Sequence, residues 1–400
     1  MRPFGGRRII LGITGGIASY KSGWLARLLS QAGAGVDVVM TRGAAEFVSP
    51  VTFEALTGRA VHSDIFAPGH ALEHIRLARE ADAVVVAPCT ADFLARAAQG
   101  RADDLLAAIL LATEAPVLLV PAMNDRMWAH PATVRNAQTA RDLGYYVLEP
   151  DSGPLAAGEG SGPGRMPEPE TIFQHAGRVL ERQSLAGRAV LVTAGPTREP
   201  VDAVRFLSNH SSGRMGVAVA AAAWRRGADV TLVAGPLEVP PPAGVKVVRV
   251  ESTSEMAKAV ATELPRANAL VMAAAPADFR AAVPVGFKIK KSAAPDAIAL
   301  APTTDILADT RPQRRKGAVI VGFALETDDI TSNARAKLDA KGLDLIVVND
   351  AKEPGAGFGV DTNRVTLIAK DGAVEPLPLM PKTELADLLL DRVEALLGAR

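Results

Sequence analysis

One arrangement occurs twice along this chain and leaves few folds open to it. Residues 8–14 form a short apolar run closed by Gly15 and Gly16, and residues 189–194 form another closed by Gly195 and Pro196. An Ala-rich helical stretch follows each (18–31 and 216–226), and each leads into a second apolar run, 35–41 and 228–234. A buried strand, a glycine turn, a helix and a returning parallel strand make the βαβ unit. Such strands are covered on both faces, so they are apolar almost throughout instead of alternating. Further runs of this kind are 83–87 and 117–121 in the first half, and 269–273, 319–323 and 343–348 in the second. The expected architecture is α/β: two doubly wound parallel-sheet domains, Rossmann-like and flavodoxin-like, in tandem.

Length and composition agree with that division. The chain has 400 residues, 48% hydrophobic and 22% charged, enough apolar material for two cores of ordinary size. Segment 151–169 is rich in Gly and Pro and has no apolar period, as in a lid, a binding loop or a linker. A helix is expected over 170–183, which places the junction at 184–187 and the domains at 1–183 and 187–400. Segment 284–304 carries Lys288, Lys290 and Lys291 and reads as a flap over a site. Lys plus Arg and Asp plus Glu both number 44, a balance that argues against a dedicated nucleic-acid binder. Cys89 is the single cysteine, which excludes an intramolecular disulfide and a cysteine-based zinc site. No apolar stretch approaches the ~18 residues of a membrane span. Gly12, Gly15 and Gly16 break the run after Arg7 and Arg8, against a signal peptide. A cytoplasmic protein without membrane or nucleic-acid partners is expected.

In the first half, a glycine turn after the first strand puts backbone amides and a helix start where a phosphate can sit. The same turn also serves tight helix–strand packing. Its spacing lacks the G-x-G-x-x-G dinucleotide fingerprint, and the second strand ends in Thr41 where an NAD site needs an acidic residue. A mononucleotide or flavin mononucleotide fits better than NAD. Residues 87–92 and 121–128 follow the next two strands, at the end of the sheet where open α/β folds bind ligands. Asn124 there can both donate and accept hydrogen bonds. His74 is a general-base candidate or an ordinary surface histidine, and Cys89 reads equally as a small core residue.

Taken together, Gly12-Ile-Thr-Gly-Gly-Ile-Ala-Ser-Tyr-Lys21, His74-Ile75, Pro88-Cys-Thr-Ala-Asp92, Ala102-Asp-Asp-Leu-Leu106 and Pro121-Ala-Met-Asn124 resemble the flavin-dependent cysteine decarboxylases of coenzyme A biosynthesis. The resemblance spans about residues 7–170. It implies that His74 is the active-site base, that Asn124 holds the substrate carboxylate, and that Gly12, Thr14, Gly15, Thr41, Pro88, Thr90 and Met123 bind FMN. It also implies a homo-oligomer with flavin sites built between subunits. One position departs from the pattern. The family's loop reads Ala-Cys-Gly, with the cysteine as proton donor, whereas this chain has Ala156-Ala157-Gly158.

In the second half, Arg198, Arg205 and Arg214 lie around an expected helix start, a pattern suited to an anion. Ser211 and Ser212 would equally serve as helix caps. Lys337 and Lys341 are four apart and share a helix face. Residues 195–202, 208–216, 273–279, 288–291, 304–307, 322–327 and 337–344 closely resemble the phosphopantothenate–cysteine ligases that use CTP. That resemblance implies that Met272, Ala273, Ala274 and Asp278 contact the cytidine, and that Thr304, Asp305, Ile306, Leu307 and Phe323 wall the nucleotide. It places Lys288, Lys337 and Lys341 on the triphosphate and Asn209 on an acyl-cytidylate intermediate. No dense carboxylate cluster marks a metal, so Mg2+ is expected to ride on the phosphates. The product of the second half is the substrate of the first. The expectation is a bifunctional coenzyme A biosynthesis enzyme that converts 4′-phosphopantothenate and cysteine, at the expense of CTP, to 4′-phosphopantetheine. The alternative is an active ligase fused to a flavin-binding regulatory domain, motivated by Ala157.

Overall fold

In the computed structural model the described residues are 2–66, 72–156, 158, 160–290, 297–326, 330–350, 357 and 359–399. The chain divides into two compact units, Met1–Arg182 and Gln183–Arg400.

The first unit is built on strands β1 (Arg8–Ile13), β2 (Gly35–Met40), β3 (Ala83–Cys89), β4 (Val117–Pro121) and β5 (Tyr146–Val147). They pair in parallel in the order β2-β1-β3-β4-β5. Successive side chains leave opposite faces of a strand, so each apolar run feeds two cores. Ile9, Leu11, Val36 and Val38 pack with Leu25 and Leu29 of the Ser19–Gln31 helix. Ile10, Val84 and Val86 pack on the other face with Phe93, Leu106 and Ile109, from the helices Ala91–Gln99 and Leu105–Ala112. The strand order reverses between β1 and β3, and that switch point opens a crevice at the carboxyl ends. The Gly/Pro-rich segment folds as an antiparallel hairpin, β6 (Asp151–Pro154) with β7 (Ser161–Arg165); Ala157 and Glu159 lie outside the described residues. The next helix runs Pro169–Leu180, three residues shorter at its end than expected. Residues 184–187 are not a free linker: Leu185 is buried in the second core, and its N–H donates to the Arg226 carbonyl at 2.8 Å.

The second unit contains β8 (Ala189–Ala194), β9 (Arg198–Pro200), β10 (Phe206–Ser208), β11 (Asp229–Ala234), β12 (Lys246–Arg249), β13 (Ala269–Met272), β14 (Phe279–Ala281), β15 (Leu300–Pro302), β16 (Val319–Glu326), β17 (Leu345–Asp350), β18 (Thr362–Asn363), β19 (Val365–Ala369), β20 (Val374–Pro376) and β21 (Met380–Pro381). Its main sheet has the order β12-β11-β8-β13-β16-β17-β19-β20. The pairing is parallel as far as β17 and antiparallel for β19 and β20, a mixed edge on a sheet expected to be parallel throughout. The tight turn at Gly372, with φ +93°, joins β19 to β20 without a crossover helix. β14 and β15 form a separate antiparallel pair at the base of the Lys288 flap, and Lys291 lies outside the described residues.

Candidate active sites

In the first unit, the carboxyl ends of β1 to β4 and the β6–β7 hairpin enclose a cavity of about 1000 Å³. The buried Thr14 hydroxyl donates to the Pro88 carbonyl at 2.8 Å and accepts from the Thr90 N–H at 3.0 Å, joining the β1 and β3 ends. Thr90 caps the Ala91–Gln99 helix by accepting from the Phe93 N–H, which leaves its own hydroxyl proton for a ligand. Gly15 approaches the loop after β2 so closely that a Cβ there would stand 2.9 Å from the Gly43 carbonyl carbon. The Met123 N–H donates to the Gly164 carbonyl at 3.0 Å, fastening the hairpin beside the β4 end. Asn124 caps the Asp125–Ala129 helix through Oδ1, which accepts from the Arg126 N–H at 2.9 Å, and its amide nitrogen is left for a ligand.

Of the residues expected here, Thr14, Gly15, Thr41, Thr90, Met123 and Asn124 line the cavity. Gly12 and Pro88 do not. Gly12 is one strand position too early and packs on Leu106, where a Cβ would meet Cδ1 at 2.6 Å. Pro88 is buried behind Thr14 and contributes only its carbonyl. His74 sits half-buried on the Glu73–Glu80 helix and does not line this cavity. Its Nδ1 is buried with no hydrogen-bond partner among the described residues. Cys89 is fully buried in the apolar core, which pushes its thiol pKa far up. Sequence reasoning missed Lys21 and the Asp92–Arg96–Asp104 cluster, all of which line the cavity. Lys21 is buried on the first helix and donates to the Met166 carbonyl at 2.9 Å and to Glu168 at 3.1 Å. Burial opposes ionisation of Glu168, yet Lys21 and Arg165 hold its carboxyl below the ordinary range.

In the second unit a cavity of about 500 Å³ opens at the ends of β13 and β16. Met272, Ala273, Ala274, Asp278, Thr304, Asp305, Ile306, Leu307, Phe323, Lys337, Lys341 and Asn209 all line it. The Thr193 hydroxyl shapes the β13 end by accepting from the Ala274 N–H at 3.1 Å. Asp305 caps the short Ile306–Asp309 helix and pairs with Lys341 Nζ at 3.0 Å, so Lys341 already has a counter-charge. Asn209 Nδ2 donates to the carbonyls of Ala275 and Pro276 at 2.9 and 3.0 Å, latching the loop after β13.

Lys288 and two of the three arginines stand apart from this cavity. Lys288 is exposed and does not line the cavity. Its neighbour Ile289 is clasped elsewhere, donating to Asp202 Oδ2 at 3.1 Å and accepting from Arg205 at 3.0 Å. Nor do the three arginines form one anion cluster. Arg198 pairs with Glu251 and stacks on Phe206, Arg205 chelates Asp202, and Arg214 reaches Asp361 at 2.8 Å. Only Arg214 lines the cavity, together with the unforeseen Asn349, Asn363 and Lys382. Among the described residues no group of three or more His, Cys, Asp or Glu could hold a metal ion, and no helix is long and apolar enough to cross a membrane.

Two doubly wound units, each with a cavity at the carboxyl ends of its strands, make a tandem α/β protein, and comparison with known proteins names its class. Residues 2–180 match the family described as Flavoprotein, and residues 185–397 match the DNA/pantothenate metabolism flavoprotein C-terminal domain. The coenzyme A biosynthesis bifunctional protein CoaBC of Mycolicibacterium smegmatis is 48% identical over 410 residues, covering 98% of this chain and 99% of that one. The CoaBC protein of Bacillus subtilis is 43% identical over 396 residues, covering 98% and 97%. A crystal structure of the C-terminal domain of a CoaBC protein is 36% identical, covers 55% of this chain and 100% of its own, and has a TM-score of 0.46. The chain belongs to the CoaBC family of bifunctional coenzyme A biosynthesis proteins. It is a flavoprotein with phosphopantothenoylcysteine decarboxylase and phosphopantothenate–cysteine ligase activities. Similarity along the whole chain to bifunctional proteins disfavours the regulatory alternative.

Proposed function

We propose that the second cavity joins 4′-phosphopantothenate to CTP as an acyl-cytidylate, which cysteine then opens, and that the first cavity decarboxylates the product with FMN. The observation that carries the ligase reading is the convergence of five separated segments, around Asn209, 272–278, 304–307, Phe323 and 337–341, on one cavity. A carboxylate is a poor electrophile, so it needs a phosphoryl leaving group before an amine can attack. Lys337 and Lys341 would offset the charge developing on the phosphates. Mg2+ would ride on the nucleotide phosphates. Lys288 would act from the flap and not from the cavity wall.

The first cavity fits a flavin mononucleotide in size and in its glycine-lined approach at Gly15 and Gly43. When bound, the flavin supplies oxidation of the thiol carbon, which gives the departing carboxylate an electron sink. Thr14, Gly15, Thr41, Thr90 and Met123 would hold it. The Asn124 amide would hold the substrate carboxylate, and His74 would take the thiol proton. Because His74 stands off this cavity, we place it in the cavity of a neighbouring copy in a homo-oligomer. Ile17 and Tyr20 support that arrangement: both line the cavity and both are 66% exposed, an apolar rim in need of cover. The cytoplasm is the proposed location.

The test is to incubate the full chain with phosphopantothenate, cysteine and CTP and to follow pyrophosphate and CO2 separately. CTP-dependent pyrophosphate release is expected, slowed by orders of magnitude in Lys288→Gln. Release indifferent to CTP would overturn the nucleotide reading, and an unchanged Lys288→Gln would remove the flap lysine from it.

A further inference from the structure

Two of the segments that meet in the second cavity are joined outside it by one side chain. Thr304, Asp305, Ile306 and Leu307 line the cavity around the Ile306–Asp309 helix, and Lys337 and Lys341 line it from the Ile330–Lys341 helix. Arg314 does not line the cavity, yet its guanidinium reaches both segments. Nη2 donates to the Leu307 carbonyl at 2.7 Å and to the Lys341 carbonyl at 2.9 Å, and Nη1 donates to the Gly342 carbonyl at 2.8 Å.

The end of the Ile330–Lys341 helix explains why an arginine stands there. The helix closes at Gly342, φ +59°, where the Gly342 N–H donates to the Asp339 carbonyl at 3.1 Å and the Leu343 N–H to the Leu338 carbonyl at 2.9 Å. That closure leaves the Lys341 and Gly342 carbonyls without a helical donor, at the negative end of the helix dipole. A guanidinium meets them with a positive charge and a planar fork of donors. Lys341 also ties the same two segments from within the cavity, its Nζ pairing with Asp305 Oδ2 at 3.0 Å. A bound triphosphate acts on these two ties differently. Its oxygens compete with Asp305 for Lys341, so the inner tie weakens as the phosphates arrive. The outer tie is made to backbone carbonyls and keeps its partners.

We propose that Arg314 is a positioning residue for the nucleotide: by clasping Leu307 and the Lys341–Gly342 turn it sets the gap between the 304–307 wall and Lys337 and Lys341. It touches no substrate and acts through the two elements it joins. Without it, the walls are held only by the Asp305–Lys341 pair, which the nucleotide itself draws apart. This assignment rests on the ligase reading above and adds a residue outside the cavity on which nucleotide affinity depends.

The test uses the flavin-loaded full chain, with CTP binding read by titration calorimetry and ligation by pyrophosphate release. Losing the charge-assisted hydrogen bonds of one group should cost about 10- to 100-fold. Arg314→Met keeps the apolar stem and removes the donors. It should weaken CTP binding and raise the KM for CTP by that factor, with the KM for phosphopantothenate and for cysteine unchanged at saturating CTP. Arg314→Lys keeps the charge without the planar fork and should fall between Arg314→Met and the parent chain; it serves as the test by itself if Arg314→Met does not fold. CO2 release from phosphopantothenoylcysteine, the chemistry of the first cavity, should be unchanged in both. A lowered melting temperature with an unmoved Kd for CTP would make Arg314 a structural cap only and overturn the assignment, as would equal rises in the KM of all three substrates. A parent chain that spends ATP in place of CTP would overturn the nucleotide reading, and a raised KM for ATP in Arg314→Met would still support the clasp. A KM for the nucleotide actually used that neither variant moves sinks it.

Discussion

Gly15→Ala and Gly16→Ala make a paired experiment on the first cavity, since the two positions are adjacent in sequence and opposite in surroundings. A Cβ on Gly15 would lie 2.9 Å from the Gly43 carbonyl carbon and 3.0 Å from its Cα and O. That is about half an ångström inside ordinary contact, and the obstacle is backbone, which cannot rotate away. Overpacking of this kind typically costs about 1–3 kcal/mol, or roughly 2–4 °C of melting temperature per kcal/mol in a unit of this size. Because Gly15, Thr41 and Gly43 line the cavity together, the forced separation of the β1 and β2 loops also spoils the proposed flavin seat. A Cβ on Gly16 would meet only Thr90 Cγ2 at 3.6 Å and Pro88 Cγ at 4.0 Å, so the same substitution one residue later should leave stability nearly unchanged. Flavin-to-protein absorbance ratios and thermal melts of both variants decide the matter. Full flavin content and an unshifted melt in Gly15→Ala would refute the reasoning, as would equal damage from Gly16→Ala.

Three further outcomes are expected. His74→Asn should keep its flavin and lose CO2 release, because an amide takes up no proton near neutral pH; loss of the flavin instead would make His74 structural. Ala157→Cys should leave the CO2 burst alone and speed formation of the reduced product, since a positioned acid is worth about 10²–10⁴-fold; equal product rates in single turnovers would point to another donor. Burial, aided by the Arg178 charge, lowers the His175 pKa to about 4 from an ordinary 6.5. The unfolded chain then binds the extra proton first, so the stability from neutral His175 is full above pH 6.5 and is lost as pH falls towards 4. The loss is up to ~3 kcal/mol. Urea midpoints at pH 7.5 and 4.5 should differ less in His175→Gln than in the parent chain.

Much of the fold was legible from local pattern. β1, β3, β8 and β13 are continuous apolar runs, and a strand buried on both faces leaves that mark in neighbouring residues whatever the rest of the chain does. The glycine turns after β1 and β8 are local as well, and most residues expected around the two cavities do line them. Distinctions that depend on partners far along the chain were not legible. Gly12 and Gly15 look alike in sequence, yet one packs on Leu106 and the other on the Gly43 backbone. Arg198, Arg205 and Arg214 look like one basic cluster until Glu251, Asp202 and Asp361 each claim one of them. The last of these carboxylates is 147 residues from its arginine. Lys382 carries no mark of a site in the sequence, yet it is buried at the start of the last helix and lines the cavity. Apolar periodicity is written residue by residue, because burial follows from the element itself. The partner and hence the role of a charge depend on the surface that folding brings against it, and only the tertiary structure decided that.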